Sequence, residues 1–291
     1  MISPMLTLTD GRQLDVSITG PDDGVPLVFH HGTPGSIAPY GPLAQTCADR
    51  GLRLVTYSRA GYGSSTRRPG RRVVDVVDDV RQVLDSIGAD RCIVAGWSGG
   101  GPHALACGAR LGDRVAGVLS IASAAPYAVD GLDFLAGMGA DNIEEFGLAL
   151  QGEDALRPFL DVAAAELGGI DLEGLITSMT TLLPEIDCDR LRAGFGTYLV
   201  EQYHGAATVS AAGWLDDDLA FTRPWGFELD EISVPVLLWQ GSADLMVPFA
   251  HGQWLARHIP GVRAFLEADE GHVSVVDRAW DESFEDLVNT L

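Results

Sequence analysis

A serine flanked by glycines follows a strongly apolar run in the segment Val94-Ala95-Gly96-Trp97-Ser98-Gly99-Gly100-Gly101-Pro102-His103. The apolar run predicts a buried strand, and the residues after the serine are typical of a helix. A strand that turns sharply into a helix strains its turn residue, and side chains at Gly96, Gly99 and Gly100 would crowd that turn. The segment therefore predicts a nucleophile elbow that exposes the hydroxyl of Ser98.

Two later segments carry the side chains that a serine nucleophile needs. Asp244 ends a short apolar strand that begins at Val234, and His272 follows 28 residues later on a loop. A serine hydroxyl needs a base within about 3 Å, and an aspartate can hold that base in the required tautomer. The order Ser98, Asp244, His272 differs from the orders of the chymotrypsin and subtilisin types.

Two further motifs lie at predicted strand ends in the N-terminal half. They are His31-Gly32-Thr33-Pro34-Gly35 and Tyr57-Ser58-Arg59-Ala60-Gly61-Tyr62-Gly63-Ser64-Ser65. With the elbow, the aspartate and the histidine, they form five elements in one order, by which the chain resembles the α/β-hydrolase superfamily. The resemblance covers nearly the whole chain apart from a middle insert. It implies an oxyanion hole formed by the main-chain N–H groups of Thr33 and Gly99.

Other side chains compete for the roles of acid and base. Asp269, three residues before His272, and Asp130, after the preceding strand, are alternative acids. Five other histidines are expected to be packed or to order the oxyanion loop, namely His30, His31, His103, His251 and His258. The glycine-rich elbow lacks the spacing of a dinucleotide-binding loop, so a nucleotide cofactor is disfavoured.

The composition is that of a globular chain. Hydrophobic residues make up 46% of its 291 residues, which suffices for a buried core. The first six residues lack the pattern of a signal peptide and no apolar run is long enough to span a membrane, so we expect a cytoplasmic protein. The cysteines lack metal-ligand spacing and are expected to be reduced: Cys47, Cys92, Cys107 and Cys188. No cofactor and no metal are expected.

The charge balance is strongly acidic. Nineteen basic and 41 acidic side chains give a net charge of −22, which repels nucleic acid and anionic membranes. We therefore expect a small-molecule substrate, no nucleic-acid or membrane partner, and a monomer or homodimer. The arginine-rich run at residues 67–72 is interpreted as a solvated loop rather than an anion site.

The order of patterns predicts an α/β fold with a mostly parallel, twisted sheet flanked by helices. Alternating residues around Asp10-Gly11 indicate an opening hairpin. Apolar runs then predict strands at about 26–31, 52–57, 91–97 and 115–121, separated by helices at about 38–50, 73–87 and 98–111. Ligands of such sheets bind beyond the carboxyl ends of the strands, where the motifs would meet.

The strand pattern stops after Ala125-Pro126 and resumes at Val234. We interpret residues 127–222 as a helical cap inserted into a core domain of residues 1–126 and 223–291. Apolar residues of the insert are candidates for the pocket wall, although such residues are more often core: Phe134, Met138, Phe146, Phe159, Leu182, Leu183, Tyr198, Tyr203 and Trp214.

Together these features favour a cofactor-free serine hydrolase that cleaves an ester or related acyl bond of a small neutral molecule. Ser98 would be the nucleophile, His272 the base and Asp244 the acid that orients it. An aminopeptidase resembling the proline iminopeptidases is an alternative, although their elbow places tryptophan after the serine. A ligand-binding protein with a silent site is an alternative of another class.

Overall fold

A computed structural model describes residues 5–207 and 209–291 of the chain. The start of the N-terminal segment, on which the expectation of no signal peptide depends, and residue 208 of the predicted insert lie outside the described residues. The strands are β1 (Met5–Thr7), β2 (Gln13–Thr19), β3 (Val25–His30), β4 (Leu52–Tyr57), β5 (Cys92–Trp97), β6 (Val115–Ile121), β7 (Val236–Gly241) and β8 (Arg263–Glu267). They form one sheet in the order β1-β2-β4-β3-β5-β6-β7-β8.

The sheet has the predicted mostly parallel character. Strands β1 and β2 form the opening hairpin, and β2 pairs antiparallel with β4. The remaining neighbours pair in parallel. Strand β3 lies between β4 and β5, so the connections that follow β3 and β5 leave the sheet in opposite directions. A crevice forms at such a point, beyond the carboxyl ends of the strands. Both loops carry predicted site residues.

Helices cover both faces of the sheet. They are α1 (Gly41–Asp49), α2 (Val76–Ser86), α3 (Gly100–Arg110), α4 (Ala140–Ala149), α5 (Glu153–Leu167), α6 (Leu172–Ser178), α7 (Glu185–Arg190), α8 (Gly196–Ala207), α9 (Ala212–Phe221), α10 (Phe249–His258) and α11 (Val275–Val288). Successive strand residues point to opposite faces. Val28 and Val94 therefore pack with residues of α2, α3 and α10, whereas Leu27 and Ile93 pack with residues of α1 and α11.

Helices α4 to α9 lie between β6 and β7, in the region predicted to be helical. One core cluster joins α5 and α9 through Leu156, Leu160 and Leu215, and includes Tyr62 from the loop after β4. Among the described residues, no helix is both long and apolar enough to cross a membrane.

The turn after β5 brings main chains unusually close together. A Cβ on Gly96 would lie 2.1 Å from the carbonyl oxygen of Gly100, and one on Gly100 would lie 2.1 Å from that of His30. Real Cβ atoms do not approach backbone oxygens so closely, because the overlap is strongly repulsive. The predicted reason for glycine at these positions is confirmed.

We expect Gly96→Ala to lower the free energy of unfolding by at least about 3 kcal/mol, because neither backbone segment can withdraw. Gly147→Ala is the matched control, since nothing lies within 4 Å of a Cβ at this position in α4. It should raise the stability by up to about 1 kcal/mol, through helix propensity. Urea unfolding followed by circular dichroism measures both values. Equal stabilities of the two variants would contradict the packing argument.

Candidate active site

Ser98 occupies the turn between β5 and α3. Its φ is 56°, in the left-handed region that non-glycine residues rarely adopt. The turn is held from both sides, because the N–H of Ser98 donates to Ile121 O at 2.9 Å and the N–H of Gly101 donates to Ser98 O at 2.9 Å. The side chain is half-buried and lines a cavity together with His272.

His272 lies on the loop after β8, and its ring contacts the carboxylate of Asp244. Nδ1 of His272 is 2.8 Å from Oδ2 of Asp244, and both side chains are buried. Burial lowers the pKa of His272, but the carboxylates of Asp244 and Asp187 outweigh this effect and raise the pKa above its usual value. With Nδ1 bonded to Asp244, Nε2 is the ring nitrogen left to exchange a proton.

Asp244 is itself held in place by neighbouring groups of the loop after β7. Its Oδ1 accepts hydrogen bonds from the N–H groups of Met246 and Val247 at 2.9 and 2.8 Å, and Oδ2 accepts from Nε2 of Gln240 at 2.9 Å. The two alternative acids, Asp269 and Asp130, are exposed. Of the three carboxylates that the sequence offers, that of Asp244 contacts the His272 ring.

Thr33 and Gly99 also border the cavity and lie against each other. A Cβ on Gly99 would be 2.2 Å from Oγ1 of Thr33, so the loop after β3 touches the turn after β5. The hydroxyl of Thr33 donates to Oδ2 of Asp217 at 2.8 Å. Its hydroxyl is therefore held by Asp217, and the proposed role of the main-chain N–H groups of Thr33 and Gly99 as oxyanion donors stays a prediction.

Asp217, on α9, is a buried hub that the sequence did not reveal. Its Oδ2 accepts from Arg59 at 2.6 Å and from the hydroxyl of Tyr62 at 2.8 Å, and Oδ1 lies 2.6 Å from Arg71. Burial raises the pKa of Asp217, but Arg59 and Arg71 outweigh it and hold the pKa well below its usual range. Arg59 also donates to the carbonyl oxygens of His31 and Gly32, so the hub orders the loop that carries Thr33.

The arginine-rich run at residues 67–72 is not simply a solvated loop. Arg71 is buried in the hub. Arg67 contacts the buried carboxylate of Asp216 with two hydrogen bonds of 2.8 Å. The interpretation is wrong for Arg67 and Arg71, because local charge patterning does not reveal partners about 150 residues away, here the consecutive aspartates of α9.

The other histidines have structural partners. Nδ1 of His31 bonds Gly32 O at 2.7 Å, and Nε2 accepts the N–H of Arg59 at 3.1 Å. Burial lowers the pKa of His31 well below its usual value, so its ring is neutral. His30 contacts Tyr57, His103 contacts Asp217, His251 bonds Phe134 O and His258 stacks on Trp254. His31 thus holds the loop after β3, while His30, His103 and His251 are packed in the interior and His258 is exposed beside Trp254.

The cavity has a volume of about 500 Å³, which suits a small molecule. Most of its wall is apolar. Seven of the nine candidate pocket residues line it: Phe134, Met138, Phe146, Phe159, Leu182, Tyr203 and Trp214. Leu183 and Tyr198 instead belong to the hydrophobic core. The described residues contain no group of three or more histidine, cysteine or acidic side chains placed to hold a metal ion.

Four acidic residues interrupt the apolar wall: Asp141, Glu145, Glu166 and Asp218. Asp218 of α9 and Glu145 of α4 both border the cavity, and Nε1 of Trp214 donates to Glu145 at 2.7 Å. Burial raises the pKa of both groups, and the neighbouring Glu145 adds to the rise at Asp218. The two carboxyl groups therefore interact with each other and make this part of the wall acidic.

Several known proteins are similar to this chain in sequence or in fold. The non-heme chloroperoxidase of Streptomyces lividans is 27% identical over 247 residues, which cover 84% of this chain and 83% of that protein. A bifunctional esterase/perhydrolase of Acinetobacter calcoaceticus is 26% identical over 246 residues, with 84% and 83% covered. The fold matches that of a thermophilic esterase from Thermogutta terrifontis with a TM-score of 0.71 and 20% identity, over 100% of this chain and 99% of that one. Residues 25–279 match the family profile described as alpha/beta hydrolase fold, and the chain belongs to this family.

Proposed function

We propose that this protein is a serine hydrolase that cleaves an ester or related acyl bond of a small neutral substrate. The observation that carries the proposal is the 2.8 Å contact between His272 and Asp244, with the ring at the wall of the cavity that Ser98 also lines. Family membership and relatives named as esterases support hydrolase chemistry.

In the proposed mechanism, Oγ of Ser98 attacks the substrate carbonyl carbon while Nε2 of His272 takes its proton. The carbonyl oxygen becomes negatively charged and accepts hydrogen bonds from the N–H groups of Thr33 and Gly99. Asp244 stabilises the imidazolium, which then protonates the leaving group. Water, activated by the same ring, releases the acid from the acyl-enzyme and restores Ser98.

Residues 127–222 are proposed as the cap that selects the substrate. Helices α4, α5, α8 and α9 supply side chains to the cavity wall, whereas the reacting groups lie on loops of the sheet. This division allows the pocket to change without moving the nucleophile. The acidic surface favours a neutral or cationic small molecule over nucleic acid or anionic membranes, as the charge of −22 implies.

A second candidate function is supported by the carboxyl pair of Asp218 and Glu145. Both carboxyl groups border the cavity, and a substrate ammonium group that enters it could pair with them. Such recognition would suit an aminopeptidase, which binds the free amino group of its substrate. The elbow sequence argues for the esterase, because tryptophan precedes Ser98.

We expect Ser98→Ala and His272→Ala each to lower kcat for p-nitrophenyl butyrate by at least about 10³-fold, and the double variant to be little worse. Ser64→Ala, at an exposed serine, is the control and should keep full activity. Labelling with a fluorophosphonate probe separates the hydrolase from a silent binding protein, since only an activated serine reacts. Full labelling of Ser98→Ala would overturn the assignment.

The rate should rise with pH along a single limb, because His272 must be neutral to accept the proton of Ser98. The neighbouring carboxylates raise the pKa of His272, so the midpoint should lie above the ordinary value of about 6.5. The measurement is kcat/KM for a neutral ester, with and without EDTA, at pH values where the fold is intact. A midpoint below 6.5, or loss of activity with EDTA that zinc restores, would contradict the mechanism.

Substrate comparison separates the two candidate functions. We expect p-nitrophenyl esters to be cleaved and aminoacyl-naphthylamides to be untouched. An aminopeptidase would instead cleave the naphthylamides. Asp218→Asn would then lower kcat/KM for the naphthylamide, relative to kcat/KM for the ester, by about tenfold or more, because a charged hydrogen bond is lost. That result would replace the esterase proposal.

A further inference from the structure

A buried carboxylate from the helical segment, which comprises α4 to α9, accepts hydrogen bonds from the main chain at His272. Asp187 of α7 is fully buried. Its Oδ2 accepts the N–H of His272 at 2.8 Å, and its Oδ1 accepts the N–H groups of Val273 and Ser274 at 2.9 and 2.8 Å. Three hydrogen bonds from consecutive residues fix both the position and the direction of the loop.

The sequence around the loop explains why this carboxylate is needed. Residues 272–274 immediately precede α11, whose first N–H groups have no partner within the helix. Ser274, the residue before α11, does not cap the helix with its side chain, and its Oγ accepts the N–H of Gly271 instead. Gly271 makes the approach possible, because a Cβ there would lie 2.4 Å from both carboxylate oxygens of Asp187.

The remaining sides of His272 are held by the sheet. Nε1 of Trp97 donates to His272 O at 3.1 Å, and the two rings pack with centroids 5.3 Å apart. Asp244 bonds the imidazole at Nδ1. The main-chain oxygen of His272 thus bonds a residue of the sheet, whereas its N–H bonds Asp187 of the helical segment, 85 residues away in the chain.

We infer that Asp187 is a positioning residue through which the helical segment sets the orientation of His272 toward Ser98. The inference rests on the proposed role of His272 as base. Displacing a base by about 1 Å can cost on the order of 10²-fold in rate, so the three hydrogen bonds of Asp187 bear directly on turnover. The helical segment then supplies part of the proton-transfer geometry in addition to the pocket wall.

The charge of Asp187 provides a second measurable effect. The acidic groups that act on the His272 ring are Asp244, after β7, and Asp187, from α7. Both raise the pKa of His272, so neutralising Asp187 should lower that pKa and move the activity limb to lower pH. Burial raises the pKa of Asp187 itself, although the N–H groups of Ser274 and Val273 and the nearby His272 oppose this.

The test is Asp187→Asn, which keeps the size of the side chain but places an NH₂ group against main-chain donors. We expect kcat for p-nitrophenyl butyrate to fall about 10- to 100-fold, with KM changed by no more than about twofold. The midpoint of the pH limb should move to lower pH. Asp189→Asn is the matched control, because Asp189 lies exposed on the same helix and should leave kcat, KM and the pH limb unchanged.

The outcomes are separable from those of the proposed function. An active His272→Ala would overturn the role of the base and the inference together. An inactive His272→Ala beside an Asp187→Asn with unchanged kcat would overturn the inference alone. A fall in kcat with a raised KM and an unmoved pH midpoint would also overturn it, since that pattern indicates damage to the pocket.

A second variant covers the case in which Asp187→Asn does not fold. Gly271→Ala acts on the same contact from the other side, because its methyl group would force the carboxylate away from the loop. The same loss of kcat at nearly constant KM is expected. Unchanged kcat in a folded Gly271→Ala protein would overturn the inference.

Discussion

The structure depends on the close contact between the turn after β5 and the loop after β3. A Cβ on Gly100 would overlap the main chain of His30, and one on Gly99 would overlap the side chain of Thr33, so both approaches need glycine. Ser98 accepts a positive φ of 56° as part of this turn. Main-chain atoms set the approach of Gly100 to His30, and the Thr33 side chain beside Gly99 is held by Asp217, so the serine and the two candidate oxyanion donors lie on loops that are packed together.

The helical segment contributes two buried aspartates to loops of the sheet, in contrasting electrostatic settings. Asp217 faces two arginines, which lower its pKa strongly, whereas burial raises the pKa of Asp187 because its main-chain N–H partners offset the burial only in part. A buried carboxylate is tolerated only where charges or hydrogen bonds replace water, and the two sites use these two solutions. The segment is thereby joined to the loops that carry Thr33 and His272.

The three consecutive aspartates of α9 show how an acidic sequence is distributed on folding. Successive residues of a helix point in different directions, about 100° apart. Asp216 meets Arg67, Asp217 meets Arg59 and Arg71, and Asp218 faces the cavity beside Glu145. One short acidic run thus serves an ion pair with the loop after β4, a buried hub and the wall of the cavity.

The sequence by itself determined the α/β fold, the order of the elements and the loops that carry Ser98, Asp244, His272, Thr33 and Gly99. These features are encoded locally, in apolar periodicity and in glycines at sharp turns. Only the tertiary structure decided that Asp187 binds the main chain at His272, that Arg71 is buried against Asp217, and that Asp218 lies near Glu145 at the cavity wall. The two residues of each pair lie 73 to 146 positions apart in the chain, and Asp187 reaches from α7 to the loop after β8. The sequence does not show whether water, an arginine or an N–H group will surround a carboxylate, because residues distant in the chain form that environment on folding.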